Sequence, residues 1–279
     1  MKKREIKDLI IKLKRKPDSH KYDYGHILVI AGSKTMPGAG VMCCLGAMRS
    51  GAGLVTYAAK EDFYNHVCGV AVLNPEIMFF IYETAKDILD YIMSKKISSV
   101  VVGPGLKSSY NFVKEIINSV SIPVVLDASG LACFNGLADE LKNAKAKLII
   151  TPHLGEFSKL LNIKSNDIKS DKKKITANFA KRNCLICVLK GSTTLVSSNG
   201  YIYKNNTGTP AMATAGSGDV LSGVISSFVN FISNTFDAVK FAVFVHGLAG
   251  ELSEVDKGTT GVMARDIIEN ICYAIKKIS

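Results

Sequence analysis

Five short aliphatic runs constrain this chain more than any other feature: 26-HILVIAG-32, 99-SVVVG-103, 122-IPVVLD-127, 147-KLIIT-151 and 186-ICVLKG-191. Several are apolar almost throughout rather than alternating, the pattern of a strand covered on both faces. Stretches of helical period separate them. Strand–helix alternation of this kind reads as an α/β fold, with a central, mostly parallel sheet and helices on both faces. No Pro/Ser-rich linker divides the chain and no internal repeat is present, so residues 1–279 are expected to form a single domain.

Charge and cysteine content exclude several function classes. The net charge is +11, with basic residues gathered in 2-KKREIKDLIIKLKRK-16 and 169-KSDKKK-174. Ile6, Leu9, Ile10 and Leu13 share one face of the first cluster, which predicts an amphipathic surface helix. Neither cluster carries interleaved aromatics or a nucleic-acid-binding signature, so no nucleic-acid partner is expected. A basic surface also attracts anionic nucleotides. No apolar run reaches the ~18 residues of a membrane span, and the N-terminus has no signal-peptide apolar region. Seven cysteines without regular spacing argue against a secreted disulfide framework. The expected location is the cytoplasm. Cys184 and Cys187 form a C-x-x-C at the entrance to an apolar strand, where core filling is the expectation. A redox pair would sit at an exposed helix N-terminus. The five histidines, His20, His26, His66, His153 and His246, show no metal-ligand spacing.

Glycine and proline collect where predicted strands give way to helices: 31-AGSKTMPGAG-40, 103-GPGLKSS-109, 127-DASG-130, 151-TPHLGE-156 and 214-TAGSGD-219. In an open α/β sheet these loops lie at the carboxyl ends of strands, the edge where ligands bind. Asp127, His153, Glu156 and Asp219 all fall in this set. In 208-GTPAMATAGSGDVLSGVISSF-228 a turn of small residues runs into an apolar helix. The turn's N–H groups and the helix dipole suit a phosphate, and Gly216 and Gly218 permit its close approach. Neither a Walker A loop nor a complete dinucleotide fingerprint is present. A carboxylate beside phosphate is repulsive unless it works, and its natural work is to take a proton from an attacking hydroxyl. Asp219 is therefore the candidate general base, and the helix dipole is expected to keep it ionised.

From about His20 to its C-terminus the chain resembles the ADP/ATP-dependent NAD(P)H-hydrate dehydratases of the ribokinase-like superfamily. The resemblance rests on 20-HKYDYGHILVIAGS-33, 36-MPGAG-40, 46-GAMRSGAGLVT-56, 74-NPE-76, 102-VGPGL-106, 151-TPHLGEFSKLL-161, 189-LKGSTT-194 and 208-GTPAMATAGSGDVLSG-223. It implies a ribokinase-like fold and repair of the S epimer of hydrated NADH or NADPH, with ADP giving AMP and phosphate. Matched by motif, Ala39, Gly105, His153 and Asp219 would contact the hydrate. Lys190, Gly191, Ser192, Thr193, Thr194 and Gly218 would contact the nucleotide. The resemblance also implies Mg²⁺, for which no protein ligand is assigned, and a homotetramer. Related bacterial proteins often carry an epimerase domain, which is expected here to be a separate protein.

The chain departs from the family pattern at Ser129 in 127-DASGL-131, at Thr209 and Ala211 in 208-GTPAM-212, and at Ala215. The nearest rival is a small-molecule kinase of the same fold, of hydroxymethylpyrimidine or hydroxyethylthiazole type. It shares the G-x-G-D turn but leaves a stable phosphorylated product. A nucleotide-binding regulator without turnover is the other alternative. Asp219 argues against it, because pure binding favours an uncharged residue beside phosphate.

Overall fold

The computed structural model describes residues 1–63, 67, 69 and 73–279, so His66 and Cys68 lie outside the described residues. The strands in chain order are β1 (His26–Ile30), β2 (Leu54–Lys60), β3 (Met78–Tyr82), β4 (Ser99–Val102), β5 (Pro123–Leu126), β6 (Lys147–Ile150), β7 (Ile186–Leu189), β8 (Leu195–Ser198) and β9 (Tyr201–Lys204). They form one nine-stranded sheet in the order β3-β2-β1-β4-β5-β6-β7-β8-β9. Strands β1 to β7 pair in parallel, and β8 and β9 add antiparallel ladders at one edge. All five runs read from the sequence are strands. The strand order reverses between β1 and β4, which opens a crevice at their carboxyl ends.

The helices are α1 (Lys3–Ile10), α2 (Pro37–Arg49), α3 (Ala85–Ser94), α4 (Tyr110–Ser119), α5 (Ala128–Ala132), α6 (Leu154–Leu161), α7 (Ser165–Ser170), α8 (Lys172–Arg182), α9 (Ser217–Phe228), α10 (Thr235–Lys257) and α11 (Ala264–Ile278). Successive strand residues face opposite layers. Ile27 and Val29 pack into a core with α2, α9, α10 and α11. Leu28 and Ile30 pack into a second core with α3, α4, α6 and α8. Covering on both faces is thus why β1 reads as apolar throughout.

The basic N-terminal segment forms α1 and a following 3₁₀ turn at Ile11–Leu13. Leu9 and Ile10 are buried, with Ile6 and Leu13 packed against the core. Its Glu5 accepts an ion pair from Lys240 at 2.6 Å. Helices α2 and α9 approach almost backbone to backbone. A Cβ on Gly46 would stand 2.6 Å from the Val220 carbonyl, and one on Gly223 would overlap the Cys43 carbonyl. Small residues in both helices are therefore a packing requirement, and their close crossing brings the two helix N-termini together.

The C-x-x-C pair divides. Cys187 fills the core within β7 as expected, but Cys184 is exposed, in a left-handed turn at φ 51° between α8 and β7. Core filling describes only the second thiol, because the chain must reverse before the strand begins.

Candidate active site

The loops after β1 and β4 flank the reversal point. Gly32 N–H donates to the Pro104 carbonyl at 2.8 Å and ties them together. Gly105, at φ 62°, sits where a Cβ would come within 2.8 Å of the Ala39 methyl and 2.9 Å of the Met36 carbonyl. Two of the four residues expected at the hydrate subsite therefore meet. One turn further along α2, Met42 Cγ lies 3.5 Å from where a Gly216 Cβ would sit. The Ala39–Gly105 end thereby adjoins the small-residue turn of α9.

Gly216 begins α9 in the left-handed region at φ 90°, and no side chain caps the helix. Its first N–H groups lack intrahelical partners, as at any helix start; Ser217 N–H donates weakly to the Thr214 carbonyl at 3.4 Å, and those of Gly218 and Asp219 are placed to meet an anion. Behind the turn, the buried His246 ring on α10 hydrogen-bonds the Ser217 backbone carbonyl. Burial lowers its proton affinity to about 4, so the ring is neutral. Its Nε2 is buried without a hydrogen-bond partner among the described residues.

Asp219 occupies the first turn of α9. Burial is the main influence on its carboxyl and pushes it up to about 7; Asp127 and Glu156 add to the rise and Lys190 opposes it. The expectation that the helix dipole keeps this group firmly ionised is corrected here. A dipole contributes ~0.3–1 kcal/mol, less than removal from water and a second carboxylate together.

Asp127 follows β5 directly and is 1% exposed. Its Oδ1 accepts from Lys190 Nζ at 2.8 Å and its Oδ2 from Ser222 Oγ at 3.0 Å. Burial acts to lower the proton affinity of Lys190, but Asp127, Glu156 and Asp219 outweigh it and hold the ammonium above its ordinary value. Lys190 Nζ lies 3.2 Å from the place of a Gly218 Cβ, so a side chain at residue 218 would meet the ammonium.

His153 caps α6. Its Nδ1 accepts from the N–H groups of Gly155 at 3.0 Å and Glu156 at 3.2 Å, while Glu156 Oε2 accepts from His153 N–H at 2.8 Å. Because Nδ1 serves as acceptor, the neutral tautomer carries its proton on Nε2, which lies 3.6 Å from Glu156 Oε2. A backbone bridge links His153 to Lys190, whose N–H donates to the Pro152 carbonyl at 2.8 Å.

Residues 190–194 form the turn from β7 into β8. Gly191 and Ser192 are exposed and Thr193 and Thr194 half-buried. Lys172 Nζ, from α8, donates to the Thr193 carbonyl at 3.0 Å and lies 3.4 Å from the place of a Gly191 Cβ. Burial lowers its proton affinity. The cluster 169-KSDKKK-174 thus contributes one cation to this turn. That contact, and the parts played by Ser222 and His246, were missed from sequence; a serine within the apolar run of α9 was the available signal. Thr209, one of the departures from the family pattern, caps the 3₁₀ turn Pro210–Met212 and donates to Glu254. The substitution is locally satisfied.

Comparison with known proteins agrees with this geometry. The family model described as NAD(P)H-hydrate dehydratase matches residues 27–272. The ADP-dependent (S)-NAD(P)H-hydrate dehydratase of Bacillus subtilis is 30% identical over 256 residues, covering 91% of this chain and 90% of that protein. The bifunctional NAD(P)H-hydrate repair enzyme of Moorella thermoacetica is 32% identical over 281 residues, covering 95% of this chain and 52% of the relative. The chain therefore spans about half the length of the bifunctional relatives it matches. A crystal structure of the Bacillus subtilis ADP/ATP-dependent NAD(P)H-hydrate dehydratase, co-crystallised with ATP and Mg²⁺, superposes with a TM-score of 0.84 at 28% identity, covering 98% of this chain and 97% of that one. With its sheet order, its crevice loops and a match along nearly its whole length, this ribokinase-like chain belongs to the NAD(P)H-hydrate dehydratase family.

Proposed function

We propose that residues 1–279 act as one domain that dehydrates the S epimer of hydrated NADH or NADPH back to NAD(P)H, consuming ADP and releasing AMP and phosphate. The observation that carries this reading is Asp219. It stands on the uncapped first turn of α9 with a proton affinity near neutrality, as a base working at neutral pH requires.

Asp219 takes the proton of the ring hydroxyl as that oxygen attacks the terminal phosphorus of the nucleotide. The P–O bond to AMP breaks. The new phosphate ester then leaves with its C–O electron pair, expelled by the lone pair of the ring nitrogen, and loss of a neighbouring proton restores the dihydropyridine. Residues 216–218 and Lys190 face the charge that develops on phosphorus. His153, with its proton on Nε2, orients the hydrate by donation. Residues 190–194 and Gly218 hold the nucleotide, and Ala39 and Gly105 shape the wall beside the ring.

Among the described residues no group of three His, Cys, Asp or Glu could hold a metal ion alone. Mg²⁺ is normally bound through substrate phosphates with one or two carboxylates and several waters. Glu156 is the carboxylate suited to hold its waters. When bound, the ion supplies neutralisation of phosphate charge.

We further propose a cytoplasmic homotetramer, with epimerase activity residing outside these 279 residues. The free thiols support the compartment, and no helix among the described residues is long and apolar enough to cross a membrane. Support for assembly comes from β3, an edge strand that exposes Met78 and Ile81.

The test is incubation with chemically hydrated NADH, Mg²⁺ and ADP or ATP. Recovery of dihydronicotinamide absorbance with one phosphate per molecule repaired is expected. A stable phosphorylated product without absorbance recovery would establish the kinase reading instead.

A further inference from the structure

We propose that Asp127 is a positioning residue of this site: pinned by Lys190 and Ser222, it holds the lysine ammonium against the α9 turn and keeps a second negative charge facing Asp219. The inference rests on the reading of Asp219 as base and adds what sets that base's properties.

The placement is rigid. Gly103 and Gly130 pack so closely that a Cβ on Gly103 would overlap the Asp127 carbonyl, and one on Gly130 would overlap the Val102 carbonyl. The next residue, Ala128, is held in the left-handed region at φ 47°. Such a conformation is unfavourable for a residue with a Cβ. It persists because the surroundings over-determine it. Both carboxylate oxygens are engaged, one by Lys190 and one by Ser222. Ser222 lies three residues beyond Asp219, on the same face of α9. Asp127 Oδ2 is 4.0 Å from the place of a Gly218 Cβ. The two carboxylates therefore face each other across the first turn of α9, with the ammonium beside them.

The charged and titratable groups around Asp219 come from several elements. Asp127 follows β5, Lys190 follows β7 and Glu156 lies on α6; all three act on its carboxyl. Cys43 on α2 and Tyr57 on β2 feel its charge from behind, but burial raises both so far that they remain protonated at neutral pH. His246 on α10 is neutral, and α11 presents the Ala264 methyl against Gly216. Among the described residues, Asp127, Glu156 and Lys190 are thus the groups that bring charge to the base. The carboxylates make it harder to deprotonate, while the ammonium makes it easier.

Opposite charges give opposite predictions, and these separate tuning from simple structural support. Carboxyl ¹³C NMR on ¹³C-aspartate-labelled protein follows Asp219 directly, its resonance assigned by loss in Asp219→Asn. Asp127→Asn is expected to move its midpoint, and the acid limb of kcat/KM, to lower pH by about one pH unit. Lys190→Gln is expected to move the Asp219 midpoint to higher pH. If the two variants merely loosened the crevice and admitted water, both midpoints would fall toward the ordinary carboxylate range, and that result would overturn the proposal. So would an Asp219 midpoint unmoved in Asp127→Asn. The upward shift in the lysine variant is the decisive one, so should Lys190→Gln fail to fold, Lys190→Met, equally uncharged, takes its place, and a midpoint that falls in it overturns the proposal. Failure of the base reading is recognised separately, by turnover in Asp219→Asn, and leaves the NMR midpoints to be judged on their own.

Discussion

Asp219→Asn tests chemistry and thermodynamics together, because the same desolvation that tunes the base burdens the fold. The folded carboxyl is pushed up to about 7, against ~3.9 for an unperturbed aspartate. Below about pH 4 both the folded and unfolded chains carry the proton, and the group costs nothing. Between about pH 4 and 7 the unfolded chain releases the proton first, so stability falls as pH rises; above 7 the cost is complete. Three pH units at 1.36 kcal/mol each set an upper bound of ~4 kcal/mol. Asp219 is only half-buried, so screening on its open side reduces this to roughly 2 kcal/mol.

Asparagine keeps the shape and never ionises. The variant should exceed wild type only slightly near pH 4.5 and by about 4–8 °C in Tm at pH 8. Its kcat should fall ~10²–10⁴-fold, or ~3–5 kcal/mol in barrier, while ADP affinity holds or improves because a negative charge beside the phosphates is gone. In wild type kcat/KM should rise about tenfold per pH unit up to about pH 7 and then level. Thermal unfolding at the two pH values, with turnover and ADP binding at one, measures all of this. A folded Asp219→Asn protein with wild-type Tm at pH 8 and turnover within about tenfold of wild type would refute the reasoning.

ADP should support repair better than ATP at matched concentrations, and equal or faster repair with ATP would contradict that. His153→Ala should raise KM for the hydrate more than it lowers kcat, since the ring offers a donor and caps α6; the reverse split would move the base to His153. Cys187→Ala should destabilise by ~1 kcal/mol or somewhat more through an unfilled core site. Cys184→Gly should be neutral or stabilising, because it relieves a left-handed residue. Activity within a few-fold of wild type in both is the expected outcome, and redox-dependent turnover would defeat it.

Legibility in the sequence followed burial. The strands at the centre of the sheet announced themselves as apolar runs, whereas β2, β3, β8 and β9 went unread. Strand β2, 54-LVTYAAK-60, carries Thr56 and two alanines, yet all three are fully buried; His26 Nε2 pairs with Thr56 Oγ1 at 2.8 Å. Strands β8 and β9 are four residues each and partly polar. The turn joining them is Asn199-Gly200, at φ 47° and 82°, a two-residue hairpin signal that was present and unused. At the site, the loops and Asp219 were readable because turn chemistry is local. The Asp127–Lys190–Ser222 link was not, because its partners lie 63 and 95 residues from Asp127 and only the sheet order unites them.

The sign of the Asp219 error has a physical cause. Considered alone, a carboxylate at a helix N-terminus is stabilised by the dipole, and sequence supplies only that influence. The fold then adds burial and a facing carboxylate, each larger than the dipole, and only part of this is offset by Lys190. The result is better suited to catalysis than a fully ionised group. A base half-ionised at pH 7 gives up only about a factor of two in active form, and its greater basicity strengthens the pull on the attacking hydroxyl. The cost falls on stability, which a core packed on both faces of the sheet can carry. Burial at the crevice therefore serves the base in a way that a solvent-facing helix terminus could not, and Asp127 and Lys190 determine how far that effect goes.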